Sequence, residues 1–162
     1  MVNHVEQKID DEALRALGRA HLAKLLVRAL KATQAAAMMG MSDRGHGGVR
    51  PADVAVFTNI DAAGTRISEL ARRAGMTTQG MAKLVRSLEA AGYVATARDP
   101  SDARATVVRL TDEGVRFCDD AQVVMDALWD ALDGRLGPGR IGELRASLEQ
   151  LAGLPADALR SP

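Results

Sequence analysis

Apolar residues recur at helical spacing along most of this chain. Between Asp10 and Met39, leucines and alanines return every three or four positions with no intervening proline, which predicts one long amphipathic helix. Four glycines between Gly40 and Gly48 weaken helical preference, so we expect the helix to end there. Pro51 then suits the first turn of a second helix, because its missing N–H needs no partner at that position.

The next stretch predicts two helices joined by a tight turn. Gly64 ends the helix that Pro51 begins, and a short strand precedes Ser68, which we expect to cap a helix that reaches Ala74. After Gly75, a further helix is predicted from about Thr77 to Ala91. Its apolar stripe consists of Met81, Leu84, Val85 and Leu88.

A hairpin and two more helices complete the pattern. The runs Tyr93–Arg98 and Ala105–Leu110 are strand-like, and turn residues 99–104 separate them. Thr111 caps a helix whose apolar seam fits packing along a partner helix. The inward positions of that seam are predicted to be Val115, Cys118, Gln122, Met125, Trp129, Leu132 and Leu136. After Gly137, a last helix carries Ile141, Leu144, Leu148, Leu151 and Leu154.

Composition and charge narrow the class of protein. Aromatic residues make up 2% of the 162 residues, which favours closely packed helices over a β-sandwich. The formal net charge of zero argues against a histone-like protein. The charge is uneven, however: eight cations face four acids between Thr65 and Leu110, and acids dominate from Asp112 to Asp133. A basic centre of this kind indicates a surface that meets a polyanion.

Helix, turn, helix and hairpin, in that order, are typical of a winged helix-turn-helix. A major groove admits one α-helix, which must bury one face and present short polar and cationic groups on the other. The segment Thr77–Ala91 meets both demands, and an arginine on the hairpin could enter the narrower minor groove. The competing interpretation is an ordinary helical pair whose hairpin closes a core. The hairpin and the basic charge together favour DNA binding.

Three segments resemble one known family. They are Ile67–Thr77 (ISELARRAGMT), Met81–Val94 (MAKLVRSLEAAGYV) and the wing Asp99–Arg104 (DPSDAR) followed by LTDEG. They resemble the multiple antibiotic resistance regulator (MarR) family, whose wing pattern is D-P-x-D-x-R…L-T-x-x-G. The resemblance follows the order of helices along the whole chain. It implies a homodimer that binds a palindromic operator in double-stranded DNA, often as a repressor that a small ligand releases.

The resemblance implies a domain plan as well. The fold class is mainly α with a small β-hairpin wing, that is, a winged helix-turn-helix plus a helical dimerisation region. Residues 10–50 would form the N-terminal dimerisation helix and loop, residues 51–110 the DNA-binding region and residues 111–162 the C-terminal dimerisation helices, in one structural domain. The candidate dimer-interface residues are Leu14, Leu17, Trp129, Leu132, Leu144 and Leu148.

The same match assigns roles in DNA binding. It places Thr77, Thr78, Gln79, Gly80 and Lys83 at the front of the recognition helix. Gln79 could contact adenine, and Lys83 could reach guanine or a phosphate. The expected phosphate contacts are Arg86, Ser68 and Arg72. In the wing, Asp102 would hold Arg104 by a charge-assisted hydrogen bond, leaving Arg98 or Arg104 for the minor groove.

Two departures from the family keep a second interpretation open. Ala103 stands where an arginine is common, and Gly80 where a serine or threonine is common, so each removes a possible contact. The alternative is a winged-helix protein-interaction module without its own operator. An enzyme is not supported, because no catalytic triad, carboxylate pair or phosphate-binding glycine loop is present in its expected context. No cofactor is implied.

A few residues invite chemistry but have simpler explanations. Cys118 lies on the apolar seam, which favours a buried structural thiol over a redox switch. The three histidines lack the spacing of metal ligands. Methionines around the glycine-rich loop could line an effector pocket or belong to the core; the candidate pocket residues are Met38, Met39, Met41 and His46. No signal peptide or membrane-spanning run is evident, so we expect a cytoplasmic protein without membrane contact.

Overall fold

The computed structural model describes residues 21–155, apart from the side chain of Ala103. In chain order its elements are α1 (Leu22–Met41), α2 (Val54–Phe57), β1 (Thr65–Arg66), α3 (Ile67–Arg73), α4 (Thr78–Ala90), β2 (Val94–Asp99), β3 (Asp102–Leu110), α5 (Asp112–Leu136) and α6 (Arg140–Ala152). The chain divides into two units, the first ending at Ala36 and the second beginning at Ala37. No helix within residues 21–155 is both long enough and apolar enough to cross a membrane.

Helix α1 continues past the point where we expected it to end. It runs through Gly40 to Met41, and a single wider turn, Ser42–His46, follows. At Gly40 the helix packs closely on α5, where a Cβ would lie 2.9 Å from a methyl carbon of Val124. The chain changes direction at Gly45, where φ is +93°. The glycine-rich stretch therefore contains one packing glycine and one turning glycine.

Two helix starts differ from the prediction. The residues around Pro51 form a turn, and α2 covers only Val54–Phe57. Helix α3 begins at Ile67 with Arg66 at its N-cap, so Ser68 lies in the first turn and is not the cap. The backbone of Arg66 is extended because it still belongs to β1, and this strand, not a side-chain cap, sets the start of the helix.

Two threonines cap helices, and the sequence predicted one of these caps, Thr111. Thr77 accepts a hydrogen bond from the backbone N–H of Gly80, and Thr111 accepts one from Gly114, both at 3.1 Å. Gly75 and Gly92 end α3 and α4 with positive φ, as the sequence indicated.

The wing hairpin is longer than predicted. Strand β3 already begins at Asp102, so the tip is Pro100 and Ser101, not residues 99–104. The sheet has the order β1–β3–β2 and is antiparallel throughout. Strand β1 pairs only with Val107 and Val108, so the outer half of the hairpin extends beyond it as a two-stranded ribbon.

The core lies between α3, α4, the sheet and one face of α5. All four residues of the predicted α4 stripe are buried, together with Leu70 and Val108. From α5, Phe117 stacks on Phe57 with ring centroids 4.0 Å apart. Gly114 sits against the start of β2, where a Cβ would lie 2.1 Å from the carbonyl oxygen of Tyr93. This close approach fixes α5 against the base of the wing.

Most of the seam predicted for α5 does not pack against the core of its own chain. The residues that α5 buries are Gly114, Phe117 and Val124, with Cys118 and Ala121 packed beside them. Five of the seven predicted inward positions lie elsewhere on the helix surface: Val115, Gln122, Trp129 and Leu136 are exposed, and Leu132 is half-buried. Helix α5 has apolar residues on two faces, and spacing alone cannot decide which one meets the core of its own chain.

Candidate nucleic-acid interface

Helix α4 presents the polar face that groove reading requires. Its stripe is buried against α3, β2 and α2, which leaves the opposite side free. On that side Thr78, Gln79, Lys83 and Arg86 are exposed, and Gly80 is half-buried beneath the Thr77 cap. The structure thus brings the predicted recognition-helix residues together on one surface, at the first two turns of the helix.

The cations of this region fall into two groups. Arg66, Arg72 and Arg73 each form ion pairs with acids of the same chain. Arg109 donates to the backbone oxygen of Ala63. In the described part of the protein, the side chains of the remaining four donate no hydrogen bond and form no ion pair; these are Lys83, Arg86, Arg98 and Arg104. Cations without an internal acceptor keep their full charge for an external anion. We call these four the free cations.

Arg72 belongs to the paired group, although the sequence suggested a phosphate contact. Its guanidinium donates two hydrogen bonds to Glu69, at 2.6 and 2.8 Å, and Arg73 donates a third. These bonds from Arg72 and then Arg73 lower the pKa of Glu69 to about 2. A phosphate at Arg72 would therefore compete with a carboxylate that stays ionised.

An open cleft of about 210 Å³ separates the start of α4 from the wing. Its lining residues include Ser68, Thr78 and Thr106, which carry hydroxyls, and the arginines Arg66 and Arg104, with Ile67, Ala82 and Ala105 between them. Ser68, Thr78 and Arg104 belong to the predicted DNA-binding set. Hydroxyl donors beside a guanidinium suit the oxygens of a phosphate, so the cleft can seat a backbone phosphate between helix and wing.

The wing holds its arginines in a way the sequence did not predict. Asp102 accepts a hydrogen bond from the backbone N–H of Arg104 at 3.0 Å, and not from its guanidinium. The acid that binds an arginine side chain is Asp99, which lies 2.6 Å from Nε of Arg66. Bonds from Ser101 and Arg66 hold the pKa of the Asp99 carboxyl well below its usual range.

Arg66, Asp99 and Ser101 were missed as functional candidates. One signal was present: Asp99 followed two residues later by Ser101 is typical of a turn in which the aspartate accepts from the chain ahead. The structure shows that bond at 2.7 Å. The partnership with Arg66 crosses 33 positions of sequence and leaves no local pattern.

The candidate effector residues do not share one surface. Met41 and His46 are buried, Met38 is half-buried, and Met39 is 70% exposed. Both ring nitrogens of His46 are engaged, Nδ1 with the hydroxyl of Tyr93 and Nε2 with Asp120, each at 3.0 Å. His46 therefore acts as a structural junction between the loop after α1, the base of the wing and α5.

The candidate dimer-interface residues and Cys118 lie on α5 and α6 or outside the described residues. Trp129, Leu144 and Leu148 are exposed and Leu132 is half-buried, while Leu14 and Leu17 lie outside the described residues. Cys118 is a half-buried free thiol whose pKa is raised by burial and by Asp119. Within residues 21–155, no three His, Cys, Asp or Glu side chains are grouped so as to hold a metal ion.

Comparison with known proteins finds one matching family model. The model of the MarR family matches residues 47–105, which include the whole helix-turn-helix and most of the wing. A search of curated proteins gave no match to this chain.

Solved structures extend the likeness to most of the chain. The repressor CouR of Rhodococcus jostii RHA1, solved with a 23-mer DNA duplex, is 25% identical, with a TM-score of 0.70 over 82% of this chain and 92% of that one. CouR bound to p-coumaroyl-CoA gives 24% identity and a TM-score of 0.65, over 85% of this chain and 96% of that one. BpsR of Bordetella bronchiseptica, whose DNA binding is regulated by 6-hydroxynicotinic acid, is 18% identical, with a TM-score of 0.67 over 84% of this chain and 96% of that one.

Proposed function

We propose that this chain, whose residues 47–105 match the model of the MarR family, is a transcriptional regulator of that type that binds a palindromic operator in double-stranded DNA as a homodimer. The observation that carries the proposal is the group of free cations on α4 and the wing, one of which, Arg104, lines the cleft between them. In this arrangement α4 enters a major groove, and the wing lies over the adjacent minor groove.

Each of the free cations has its own contact with the DNA in this proposal. Lys83, on the exposed face of α4, reaches a guanine edge or a phosphate, and Gln79 reaches adenine. Arg86 contacts phosphate and sets the position of the helix. Arg98 and Arg104 extend from the outer wing to the minor groove, where the negative potential is deepest. Ser68 and Thr78 donate to a phosphate in the cleft. Arg72 contributes less because its guanidinium already bonds to Glu69.

The division of the chain follows from this assignment. Residues 51–110 form the DNA-binding region, and the helices within residues 10–50 and 111–162 join two copies, with Trp129, Leu132, Leu144 and Leu148 among the contacts. A two-fold dimer presents two recognition helices to two half-sites, which is why the operator is palindromic. On this assignment the protein acts in the cytoplasm.

A small-molecule effector completes the proposal. The likeness to CouR, solved with p-coumaroyl-CoA, and to BpsR, whose DNA binding 6-hydroxynicotinic acid regulates, supports a repressor that an organic ligand releases. The position of that ligand near Met38, Met39, Met41 and His46 stays a prediction.

Gel-shift titration and footprinting on the DNA upstream of the gene test the function. We expect a protected palindrome whose affinity falls steeply with salt, since each neutralised phosphate releases counterion. Lys83→Ala and Arg104→Ala should each weaken binding by about 1–3 kcal/mol. Arg145→Ala, which removes an arginine on α6 that pairs with Glu149, is the matched control and should bind like the wild type.

Unchanged affinity in both Lys83→Ala and Arg104→Ala would overturn the DNA-binding assignment. Absence of any protected site in the wild type would favour the protein-interaction module instead.

A further inference from the structure

The outer half of the wing needs support that its own strands do not provide. Strand β1 reaches only Val107 and Val108, so residues 98–106 form an isolated two-stranded ribbon with a bulge between Arg98 and Asp99. Two strands without a third neighbour are marginally stable in water. Two of the free cations, Arg98 and Arg104, lie in this ribbon.

One cluster of side chains bonds the tip of the ribbon to β1. Arg66, at the end of β1, donates from Nε to Asp99 at 2.6 Å and from a terminal nitrogen to the Ser101 hydroxyl at 3.0 Å. Asp99 also accepts from the hydroxyl and the backbone N–H of Ser101, at 2.6 and 2.7 Å. The side chain of Asp99 is only 10% exposed, so this ion pair is shielded from solvent on the side of the acid. We call Arg66, Asp99 and Ser101 the wing clasp.

We propose that the wing clasp is a positioning device, in which Arg66 serves DNA binding by fixing the ribbon that presents Arg98 and Arg104 and not by contacting phosphate itself. This inference rests on the proposed DNA-binding function. Its reason is geometric: Nε and one terminal nitrogen of Arg66 already bond to the wing tip, and the clasp bridges the gap in the sheet where β1 stops.

The proposal makes an unusual prediction for an acid near DNA. Removing a negative charge from a DNA-binding surface should tighten binding if electrostatics alone decides the outcome. Asp99→Asn should instead weaken binding about tenfold, because the asparagine loses the charge that holds Arg66 and the tip. Asp112→Asn is the matched control, since Asp112 is an exposed acid outside the clasp. That variant should bind as tightly as the wild type or more tightly.

Variants of Arg66 separate positioning from direct contact. Arg66→Gln should weaken binding about as much as Asp99→Asn, and the double variant should be no weaker than either single one, because all three lose the same clasp. Arg66→Lys, which keeps the charge but not the fork, should restore little. Arg104→Ala should cost less in the Arg66→Gln background than in the wild type. A direct phosphate contact would show the opposite: rescue by lysine, a salt slope reduced by about one in Arg66→Gln, and no loss in Asp99→Asn.

Hydrogen exchange in the DNA-free protein tests the clasp even if no operator is found. The amides of Ser101 and Arg104 bond to wing acids, and that of Val108 lies in the central strand. We expect Arg66→Gln to speed exchange at Ser101 and Arg104 about tenfold and to leave Val108 unchanged. Unchanged exchange at the tip would overturn the clasp. A wild type that binds no DNA, with the exchange shift present, would refute the regulator and retain the clasp as a support of the wing.

Discussion

The winged-helix region and the two C-terminal helices differ in how far their apolar side chains are buried. In the first, the large apolar residues of α3, α4 and the sheet are buried, and the surface is left to polar groups and cations. In the second, α5 and α6 expose several large apolar residues: Val115, Val123, Trp129, Leu136, Leu144 and Leu148. Apolar residues buried within one chain need no second copy, whereas an apolar face that the chain leaves open is available to a partner.

Deleting a core side chain gives the largest expected effect. Leu70 is fully buried on α3, so Leu70→Ala should lower the free energy of unfolding by about 2–5 kcal/mol. Urea unfolding followed by circular dichroism measures it. The loss should be the same at low and high protein concentration, because the contact lies within one chain. A loss that depends on concentration would contradict a self-contained core.

Breaking the hydrogen bonds of His46, which link the two regions, should have the second-largest effect. His46→Leu keeps an apolar filling but breaks the bonds to Tyr93 and Asp120, at a cost of about 1–3 kcal/mol in unfolding free energy. Tyr93→Phe removes one of the two bonds and is the matched control, with a smaller loss of about 0.5–1.5 kcal/mol. Equal losses in the two variants would show that the contact between His46 and Asp120 contributes nothing.

Changing the exposed face of α6 should alter assembly more than folding. Leu148→Asp places a charge on a surface that we expect another copy to cover, and should raise the dimer dissociation constant about tenfold or more. Sedimentation equilibrium measures this shift, with circular dichroism to show that helical content is retained. Ser147→Asp, on the same turn, tests whether any new charge has this effect. An unchanged association would mean that this face has no partner.

The smallest effect concerns pH and the paired cations of α3. The folded-state pKa of Glu69, about 2, lies below its ordinary value of 4.5, so the ionised form stabilises the fold above pH 4.5 and this contribution is lost as pH falls toward 2. Thermal unfolding of Glu69→Gln should therefore depend less on pH in this window than that of the wild type. Because Glu69 is solvent-accessible, the difference should be small. Glu143→Gln, on α6, should follow the wild type.

Much of the fold could be predicted because its signals are local. The α4 stripe, the Thr111 cap, the positive-φ glycines at 75 and 92 and the strand before α3 all depend on neighbours within a few positions. The predicted DNA-binding residues of α4 share a surface for the same reason, since one helix period places them there.

Some of the predictions that failed depend on distant contacts. Gly40 lies inside α1, where Val124 of α5 leaves no room for a side chain, and Asp99 takes an arginine from another strand. Other failures are local. Ser68 loses the cap because β1 already fixes the start of α3, and Asp102 bonds to backbone because the tip is shorter than expected.

By itself the sequence determined the order of elements, the buried face of α4 and a basic centre between acidic flanks, since periodicity, turn residues and charge are written in adjacent positions. Only the tertiary structure decided which cations are free. Arg66, Arg72 and Arg73 look no different from Lys83 and Arg104 in the sequence, and the acids that engage them come partly from other elements. Charge alone does not make a contact; the fold decides which arginines already have a partner.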